Sequence, residues 1–341
     1  MDVAVSKSDS GPADQDSLLD SGFTAHFFEM AGNRSPAGGR VGVVETPDGF
    51  RLRHARWAAD TKRTRGTVLL LHGRTEFIEK YFETVQDLRA RGYAVLTFDW
   101  RGQGASTRHT TNRRKGYVES YDEYGIDLAT IVSEVLLPDC RPPFSVIAHS
   151  MGGLAALYNA DVLSRQVARM VLLAPFTGFF DLPAPRPVVH FAMALLMALG
   201  LGEVYTGGGD RPEERRPFAN NLLTSDAGRF ERNRKLMTTS GDLALGGPTA
   251  AWTRATIKAQ KRVMDPAFSS TIRIPSLMVA AGNDKVTANR DVERLVGQMR
   301  SASFLMLKGA RHEILHEQDL IRDQLFAAVD AFFPGEPPSA G

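Results

Sequence analysis

The residues best suited to covalent chemistry lie around Ser150, in the run Phe144-Ser-Val-Ile-Ala-His-Ser-Met-Gly-Gly153. Apolar, partly β-branched residues lead into a serine with small neighbours, and the following Leu154-Ala-Ala-Leu-Tyr-Asn-Ala160 is typical of a helix. A strand that turns sharply into a helix around one serine is a nucleophile elbow, written G-x-S-x-G; here Ala148 replaces the first glycine. The turn exposes the hydroxyl and aims the next backbone N–H, that of Met151, at a developing oxyanion. The alternative is that Ser150 is only a helix N-cap.

A serine nucleophile needs a base to take its proton and a third group to orient that base. The run Ile274-Pro-Ser-Leu-Met-Val-Ala-Ala281 has the length of a buried strand, and Asp284 follows it in a Gly-Asn turn. Ser303-Phe-Leu-Met-Leu307 predicts another strand, with His312 on the loop after it. The chain order serine, acid, histidine, each after a strand, predicts a catalytic triad of Ser150, Asp284 and His312.

Two members of this triad have simpler interpretations. Asp284 is also suited to cap the next helix, because aspartate is common in turns and caps. His316 competes with His312 as the base, but it lies in Ile-Leu-His-Glu-Gln-Asp, which we interpret as the first turn of a helix. We prefer His312 because it directly follows the strand.

The second half of an oxyanion site is predicted further upstream. The run Gly66-Thr-Val-Leu-Leu-Leu-His-Gly73 is a buried strand that ends in His-Gly. The loop after such a strand supplies a second backbone N–H to the oxyanion, and Arg74 is placed to provide it without help from its side chain. We interpret His72 as structural and Glu76 as an acid that braces this loop.

Composition and charge narrow the class of protein. The chain has 341 residues, 43% of them hydrophobic, which is enough for one large α/β core with an insertion. A net charge of +2 gives no reason to expect a nucleic-acid partner. The single Cys140 excludes an intramolecular disulfide and fits a reducing compartment. The first residues lack the basic and apolar regions of a secretory signal, so we expect a cytoplasmic protein, with the inner membrane face as a second location.

Strand and helix patterns alternate along the chain, which is typical of a mainly parallel sheet. We predict eight strands, the first two forming an antiparallel hairpin, near residues 41–45, 50–57, 67–72, 94–98, 144–149, 169–174, 275–281 and 303–307. Helices are expected near residues 77–91, 118–137, 151–164, 288–299 and 317–332. The core is assigned to residues 26–174 and 274–333, with a helical cap at residues 175–273 inserted before the strand that carries the acid. Disorder is expected at residues 1–25 and 334–341.

Residues 188–201 within the predicted cap are apolar nearly all round. They are too few to cross a bilayer, which takes about 20 residues. One interpretation is a helix buried between cap and core; the other is a helix that lines an acyl channel or contacts a membrane. An apolar cap favours a lipid-like acyl chain over a charged or peptide substrate. The candidate substrate contacts are Phe176, Phe191, Leu195 and Trp252.

Four segments together resemble the lysophospholipase and monoacylglycerol lipase branch of the α/β-hydrolases: residues 71–81, 98–106, 148–153 and 309–313. Residues 243–249 with Trp252 are also similar to a stretch in bacterial lysophospholipase L2-like proteins. The resemblance covers residues 40–333. It implies an α/β-hydrolase fold with a helical cap over the site, and a hydrolase that acts on esters of one fatty acyl chain.

We therefore predict a serine hydrolase that cleaves a lysophospholipid or a monoacylglycerol through an acyl-enzyme, without metal or organic cofactor. An acyltransferase with a non-water acceptor would use the same triad and stays open. A non-catalytic ligand-binding protein on this fold is less favoured, because it would not need three competent triad residues. The expected partner is a lipid-like ester, with transient contact to a membrane surface; the sequence does not determine the oligomeric state.

Overall fold

Eight strands form one sheet in the computed structural model, which describes residues 26–210 and 216–333. The strands are β1 Arg40–Glu45, β2 Arg51–Trp57, β3 Gly66–Leu71, β4 Tyr93–Phe98, β5 Phe144–His149, β6 Val167–Leu173, β7 Ser276–Ala281 and β8 Ala302–Leu307. Their order across the sheet is β1-β2-β4-β3-β5-β6-β7-β8. Strand β2 runs antiparallel to both of its neighbours, β1 and β4, and the other neighbouring pairs of this sheet are parallel. The predicted eight-stranded, mostly parallel sheet is therefore confirmed.

Helices connect the strands. In chain order they are α1 Phe82–Ala90, α2 Tyr121–Ile131, α3 Met151–Tyr158, α4 Ala160–Leu163, α5 Arg186–Ala198, α6 Ala227–Thr239, α7 Ala250–Val263, α8 Pro266–Ser269, α9 Asn289–Gln298 and α10 Asp319–Phe332. Short 3-10 turns at Ile78–Tyr81, Phe218–Asn220, Gly241–Leu243 and Ile314–His316 supplement them. Helix α2 continues through a π turn at Val132–Leu136 into Leu137–Asp139. It begins at Tyr121 because Ser120 caps it in a capping box with Glu123.

The core lies on both faces of the sheet, as the continuous apolar runs of the central strands require. Along β3, Leu69 and Leu71 pack on one side, while Val68 and Leu70 pack on the other. The alternation follows from the two-residue period of a strand. Helices α2, α3, α7 and α9 cover the first side, and α1 and α10 cover the second. Parallel strands buried in this way end at one common edge, where the loops carry the site.

Between β6 and β7 the chain forms helices α5 to α8. The predicted tails at residues 1–25 and 334–341 lie outside the described residues. Within the part of the chain that is described, no helix combines the length and the apolar composition needed to cross a bilayer.

Helix α5 corrects one expectation. None of its residues is buried, so the interpretation of residues 188–201 as a helix sealed between cap and core is wrong. Phe191 is 71% exposed and Leu195 is 52% exposed. The apolar residues of α5 are more numerous than its contact with α7 can cover, and a stripe of them faces outward.

Candidate active site

Ser150 occupies the strained turn between β5 and α3. Its backbone has φ 51° and ψ −114°, a left-handed φ that costs a non-glycine residue energy and is common at functional sites. Small neighbours allow this turn to form: a Cβ at Gly152 would lie 2.5 Å from the carbonyl oxygen of His72. Ala148 is fully buried in β5, so its methyl group is accommodated in the strand before the turn.

The three predicted triad side chains are in contact. His312 Nε2 lies 2.9 Å from Ser150 Oγ, and His312 Nδ1 lies 2.8 Å from Asp284 Oδ2. Burial alone would raise the pKa of Asp284, but His312 and the N–H groups of Val286 and Thr287 lower it overall. Asp284 is therefore a carboxylate that accepts a hydrogen bond from the Nδ1–H of His312, which leaves the Nε2 lone pair directed at the serine hydroxyl.

The two predicted oxyanion donors line the same cavity as Ser150. Met151 is the first residue of α3, so its N–H has no acceptor within the helix. Arg74 follows Gly73, where a Cβ would lie 2.7 Å from Glu76 Oε2 and 3.2 Å from the Cβ of Ser150. Close approach of this loop to the nucleophile therefore requires glycine.

The Arg74 side chain has a role that the sequence did not indicate. Its Nη2 donates to the carbonyl oxygens of Gly246 and Gly247 at 2.8 and 2.6 Å. Its guanidinium carbon also lies 5.0 Å from the ring centre of Trp252. These contacts tie the loop after β3 to the segment that leads into α7.

A buried group of charged side chains lies behind the triad. Glu76 braces the loop as predicted, accepting from the N–H of Gly73 and from Tyr81. Lys80 Nζ donates to Glu76 at 3.1 Å and to Glu313 at 2.5 Å. Burial alone would raise the pKa of Glu76, but Lys80 and then His149 hold it well below its ordinary value.

His149 links this charged group to His312. Its Nδ1 lies 3.0 Å from Glu76 Oε2, and its Nε2 lies 3.1 Å from the carbonyl oxygen of His312. The two imidazole rings pack with their centres 4.9 Å apart. Burial alone would lower the pKa of His149, but Glu76 and then Glu313 raise it overall. A doubly protonated His149 can donate to both acceptors. Sequence reasoning missed this residue and Lys80, because each also bonds a residue from a distant segment, Glu76 for His149 and Glu313 for Lys80.

We expect His149→Gln to destabilise the fold in a pH-dependent way. A histidine whose folded pKa is raised contributes stability that is fully present below its unfolded pKa of about 6.5 and is lost as the pH rises through the folded pKa. The variant should lose about 1–3 kcal/mol of unfolding free energy at pH 6, because the buried carboxylate of Glu76 loses its charged partner His149. Urea unfolding at pH 6 and pH 9 measures the stability gap, which is the difference in unfolding free energy between the wild type and the variant. This gap should be smaller at pH 9 than at pH 6.

Tyr81→Phe is the matched control for this experiment. It removes a neutral donor to the same Glu76 oxygen. The pKa of Tyr81 is raised well above 10 by burial and by Glu76, so Tyr81 does not titrate between pH 6 and 9 and its gap should be constant. A gap for His149→Gln that stays constant or widens toward pH 9 would contradict a charged His149.

The neighbouring histidines are structural in their contacts. His316 is buried with its ring centre 5.4 Å from that of Tyr81, and neither ring nitrogen has a hydrogen-bond partner among residues 26–210 and 216–333. Glu76, Glu313 and His316 are close enough to hold a metal ion, but the ammonium group of Lys80 already bonds both carboxylates. His72 is fully buried, and its carbonyl accepts from Trp100.

The triad opens into a cavity of about 340 Å³ with largely apolar walls. Two predicted substrate contacts, Phe176 and Trp252, line it and stack with ring centres 6.2 Å apart. The other apolar lining residues are Met151, Phe179, Leu222, Leu223, Met237, Pro248 and Val286. Phe191 and Leu195 do not line this cavity, because their helix turns these side chains to the outside. The prediction that they contact a substrate beside Ser150 is therefore corrected.

Positive charge also reaches the cavity. Arg74, Arg216 and Lys285 contribute to its lining, and Lys285 is exposed. The acids of the lining, Glu76 and Glu313, are both bonded to Lys80.

A nucleophile elbow on this sheet, followed by acid and histidine in that order, defines a serine hydrolase with the α/β-hydrolase fold. The family model described as "Serine aminopeptidase, S33" matches residues 62–319, and the chain belongs to this family. It is 30% identical to a probable lysophospholipase L2 of Haemophilus influenzae, over 83% of this chain and 88% of that protein. It is 31% identical to lysophospholipase L2 of Escherichia coli, over 80% of this chain and 82% of that protein.

The fold is also similar to a solved structure of monoglyceride lipase from Saccharomyces cerevisiae. The TM-score is 0.67 with 20% sequence identity, and the match covers 85% of this chain and 93% of the other. At this identity the likeness concerns the fold, which supports many chemistries.

Proposed function

We propose that this protein hydrolyses carboxylic esters of a single fatty acyl chain, with Ser150, His312 and Asp284 as its catalytic residues. The observation that carries the proposal is the hydrogen-bonded chain from Ser150 Oγ through His312 to Asp284, which opens into an apolar cavity. An acyl chain beside the nucleophile would be sheltered from water by Phe176 and Trp252.

The reaction follows from the placement of protons. His312 Nε2 takes the Ser150 proton as Oγ attacks the ester carbonyl, and Asp284 stabilises the imidazolium that forms. The N–H groups of Arg74 and Met151 would hold the oxyanion, each lowering the barrier by about 3 kcal/mol. His312 then protonates the departing alcohol, and water releases the acyl group by the same steps in reverse.

An ester substrate suits this cavity better than a peptide with a free amino terminus. Binding an ammonium group would need an unpaired carboxylate, whereas Glu76 and Glu313 are engaged by Lys80. The positively charged side chains that line the cavity would also repel the ammonium group of a peptide amino terminus.

Among single-chain esters we propose lysophospholipids as the preferred substrates. Lys285, Arg216 and Arg74 give the cavity a positive lining suited to a phosphate. The relatives named lysophospholipase L2 match over most of their length, whereas the monoglyceride lipase of Saccharomyces cerevisiae matches in sequence over 32% of this chain.

We further propose that residues 175–273 act as a cap that meets the membrane from which the substrate comes. The outward stripe of α5 has the spacing of one helical face, with Val188, Phe191, Leu195 and Leu199 all exposed. Such a stripe would enter the headgroup region of a bilayer.

The test compares purified protein on palmitoyl lysophosphatidylcholine, monopalmitoylglycerol and an aminoacyl p-nitroanilide. One charge-assisted hydrogen bond to phosphate, about 1.5 kcal/mol, should raise kcat/KM for the lysophospholipid about tenfold over the monoacylglycerol. No turnover of the anilide is expected. Anilide cleavage without ester cleavage would overturn the proposed activity, and equal rates on both esters would overturn the headgroup preference alone.

A further inference from the structure

A second cavity lies between the cap and the core, away from the triad. It has a volume of about 480 Å³ and is formed by residues of α5, α7 and α9 together with Met264, which follows α7. It shares none of its lining residues with the cavity that contains Ser150. Its charged and titratable lining residues are basic: Arg186, His190, Lys258, Lys261 and Arg294.

Positive charge exceeds negative charge at this cavity. Asp291, the acid beside it, already binds Arg186 at 2.5 Å and lies 4.0 Å from Arg294. Lys258 and Lys261 are exposed and one helical turn apart on α7. The pKa of His190 is lowered, first by partial burial and then by the positive charges of Arg254, Lys258 and Lys261. A field that disfavours a further cation favours an anion.

The floor of the cavity carries a polar group without a partner. Gln260 lines it and is only 1% exposed. Its Nε2 donates to the carbonyl oxygen of Phe176 at 2.9 Å, whereas its Oε1 has no hydrogen-bond partner among residues 26–210 and 216–333. A buried acceptor left unbonded is costly, so a ligand with a hydroxyl donor would be stabilised there.

The apolar surface of α5 adjoins this basic cavity. His190 belongs to the cavity, and the next residue along the helix is the exposed Phe191. Seven of the twelve exposed large hydrophobic side chains in the described residues lie between Phe180 and Val204. An apolar stripe with cations beside it matches the boundary between acyl chains and anionic headgroups in a bilayer.

We propose that the cavity of α5, α7 and α9 binds the headgroup of an anionic glycerophospholipid in the membrane. Lys258 and Lys261 would pair with the phosphate, and Gln260 Oε1 would accept from a headgroup hydroxyl. A bound headgroup would hold the α5 face of the protein on the membrane, so this inference rests on the membrane contact proposed above. The site is separate from the catalytic cavity. A headgroup bound in this cavity would also contact Gln260. The side chain of Gln260 bonds the backbone carbonyl of Phe176, which lies in the wall of the catalytic cavity.

Vesicle flotation with the full chain tests the site. We expect tighter binding to phosphatidylcholine vesicles that contain phosphatidylglycerol than to phosphatidylcholine alone. The double variant Lys258→Ala/Lys261→Ala should bind the anionic vesicles about 10- to 30-fold more weakly, at about 1 kcal/mol per surface cation. Its turnover of a short p-nitrophenyl ester should equal that of the wild type, because neither lysine touches the catalytic cavity.

The matched control is Lys62→Ala/Arg63→Ala, which removes the same charge from the loop between β2 and β3. That loop lies at the sheet edge opposite the carboxyl ends of the parallel strands. The Lys62→Ala/Arg63→Ala variant should bind anionic vesicles as tightly as the wild type does. Equal losses in both double variants, or no loss in the α7 variant, would overturn the headgroup site.

A third variant separates this inference from the proposed function. Phe191→Ser/Leu195→Ser should weaken binding to both kinds of vesicle while keeping the preference for the anionic one. If this variant binds both kinds of vesicle as tightly as the wild type does, the proposed apolar contact of α5 with the membrane is rejected. The proposed binding of a headgroup within the membrane is then rejected with it. Absence of ester turnover in the wild type would reject the catalytic proposal, while the vesicle measurements would still decide the headgroup site.

Discussion

Replacing Ser150 by alanine should lower kcat for a soluble p-nitrophenyl ester by about 10⁴- to 10⁶-fold, because the nucleophile of the acyl-enzyme is lost. The fold should be retained. Alanine keeps the small side chain that the turn needs, and only the 2.9 Å contact with His312 Nε2 disappears. Initial rates measure the effect, and thermal unfolding checks that the variant is intact.

A fluorophosphonate that labels serine nucleophiles gives a second measurement for this variant. The wild type should gain the mass of one label on the peptide that contains Ser150, and Ser150→Ala should gain none. Ser164→Ala is the matched control, since Ser164 is an exposed serine after α4 whose hydroxyl bonds only locally to Asp161. Wild-type rates or labelling in Ser150→Ala would show that another residue is the nucleophile.

Much of this site could be predicted from sequence because its parts have strong local signals. A buried parallel strand is a short apolar run with turn residues on either side, and β3, β5 and β7 are of this kind. Ser150 and Asp284 stand just beyond β5 and β7, and His312 follows the partly buried edge strand β8. Strand ends at one edge of a parallel sheet converge. The choice of His312 over His316 rested on the same rule, and the structure places His312 beside Ser150.

The position of α5 could not be predicted, because a helix with apolar residues nearly all round has no face that identifies its partner. Its outward stripe is visible only when the surface offered by α7 is known. The two predicted substrate contacts on this helix, Phe191 and Leu195, were misplaced for this reason. Phe176 lines the cavity because it adjoins the elbow, where its N–H donates to the carbonyl of Ser150, and Trp252 lines it because its ring stacks with that of Phe176.

The charged group behind the triad carries no periodic signal. Glu76, Lys80, His149 and Glu313 belong to three separate segments, and each alone is an ordinary polar residue. Their proximity follows from β3 and β5 being neighbours and from the loop after β8 folding over both. His312 is thus held from two sides, by Asp284 at its ring and by His149 at its backbone.

Asp284→Asn should lower kcat by about 10⁴-fold, through the wrong tautomer rather than through unfolding. The asparagine oxygen can still accept from the N–H groups of Val286 and Thr287, which now bond Asp284 Oδ1 at 2.7 and 2.9 Å. The amide nitrogen then faces His312 Nδ1 and donates to it, so the ring proton moves to Nε2. A protonated Nε2 cannot take the proton of Ser150.

Steady-state rates measure this loss, and Asp181→Asn is its control, because Asp181 is an exposed carboxylate on the segment after β6. Asp181→Asn removes the same charge without touching the histidine and should keep wild-type kcat. Fluorophosphonate labelling of Ser150 should be slowed in Asp284→Asn but should still reach completion, since the hydroxyl remains in place. A variant with wild-type kcat would mean that some other group orients His312. A variant that never becomes labelled would mean that the change displaced the elbow itself.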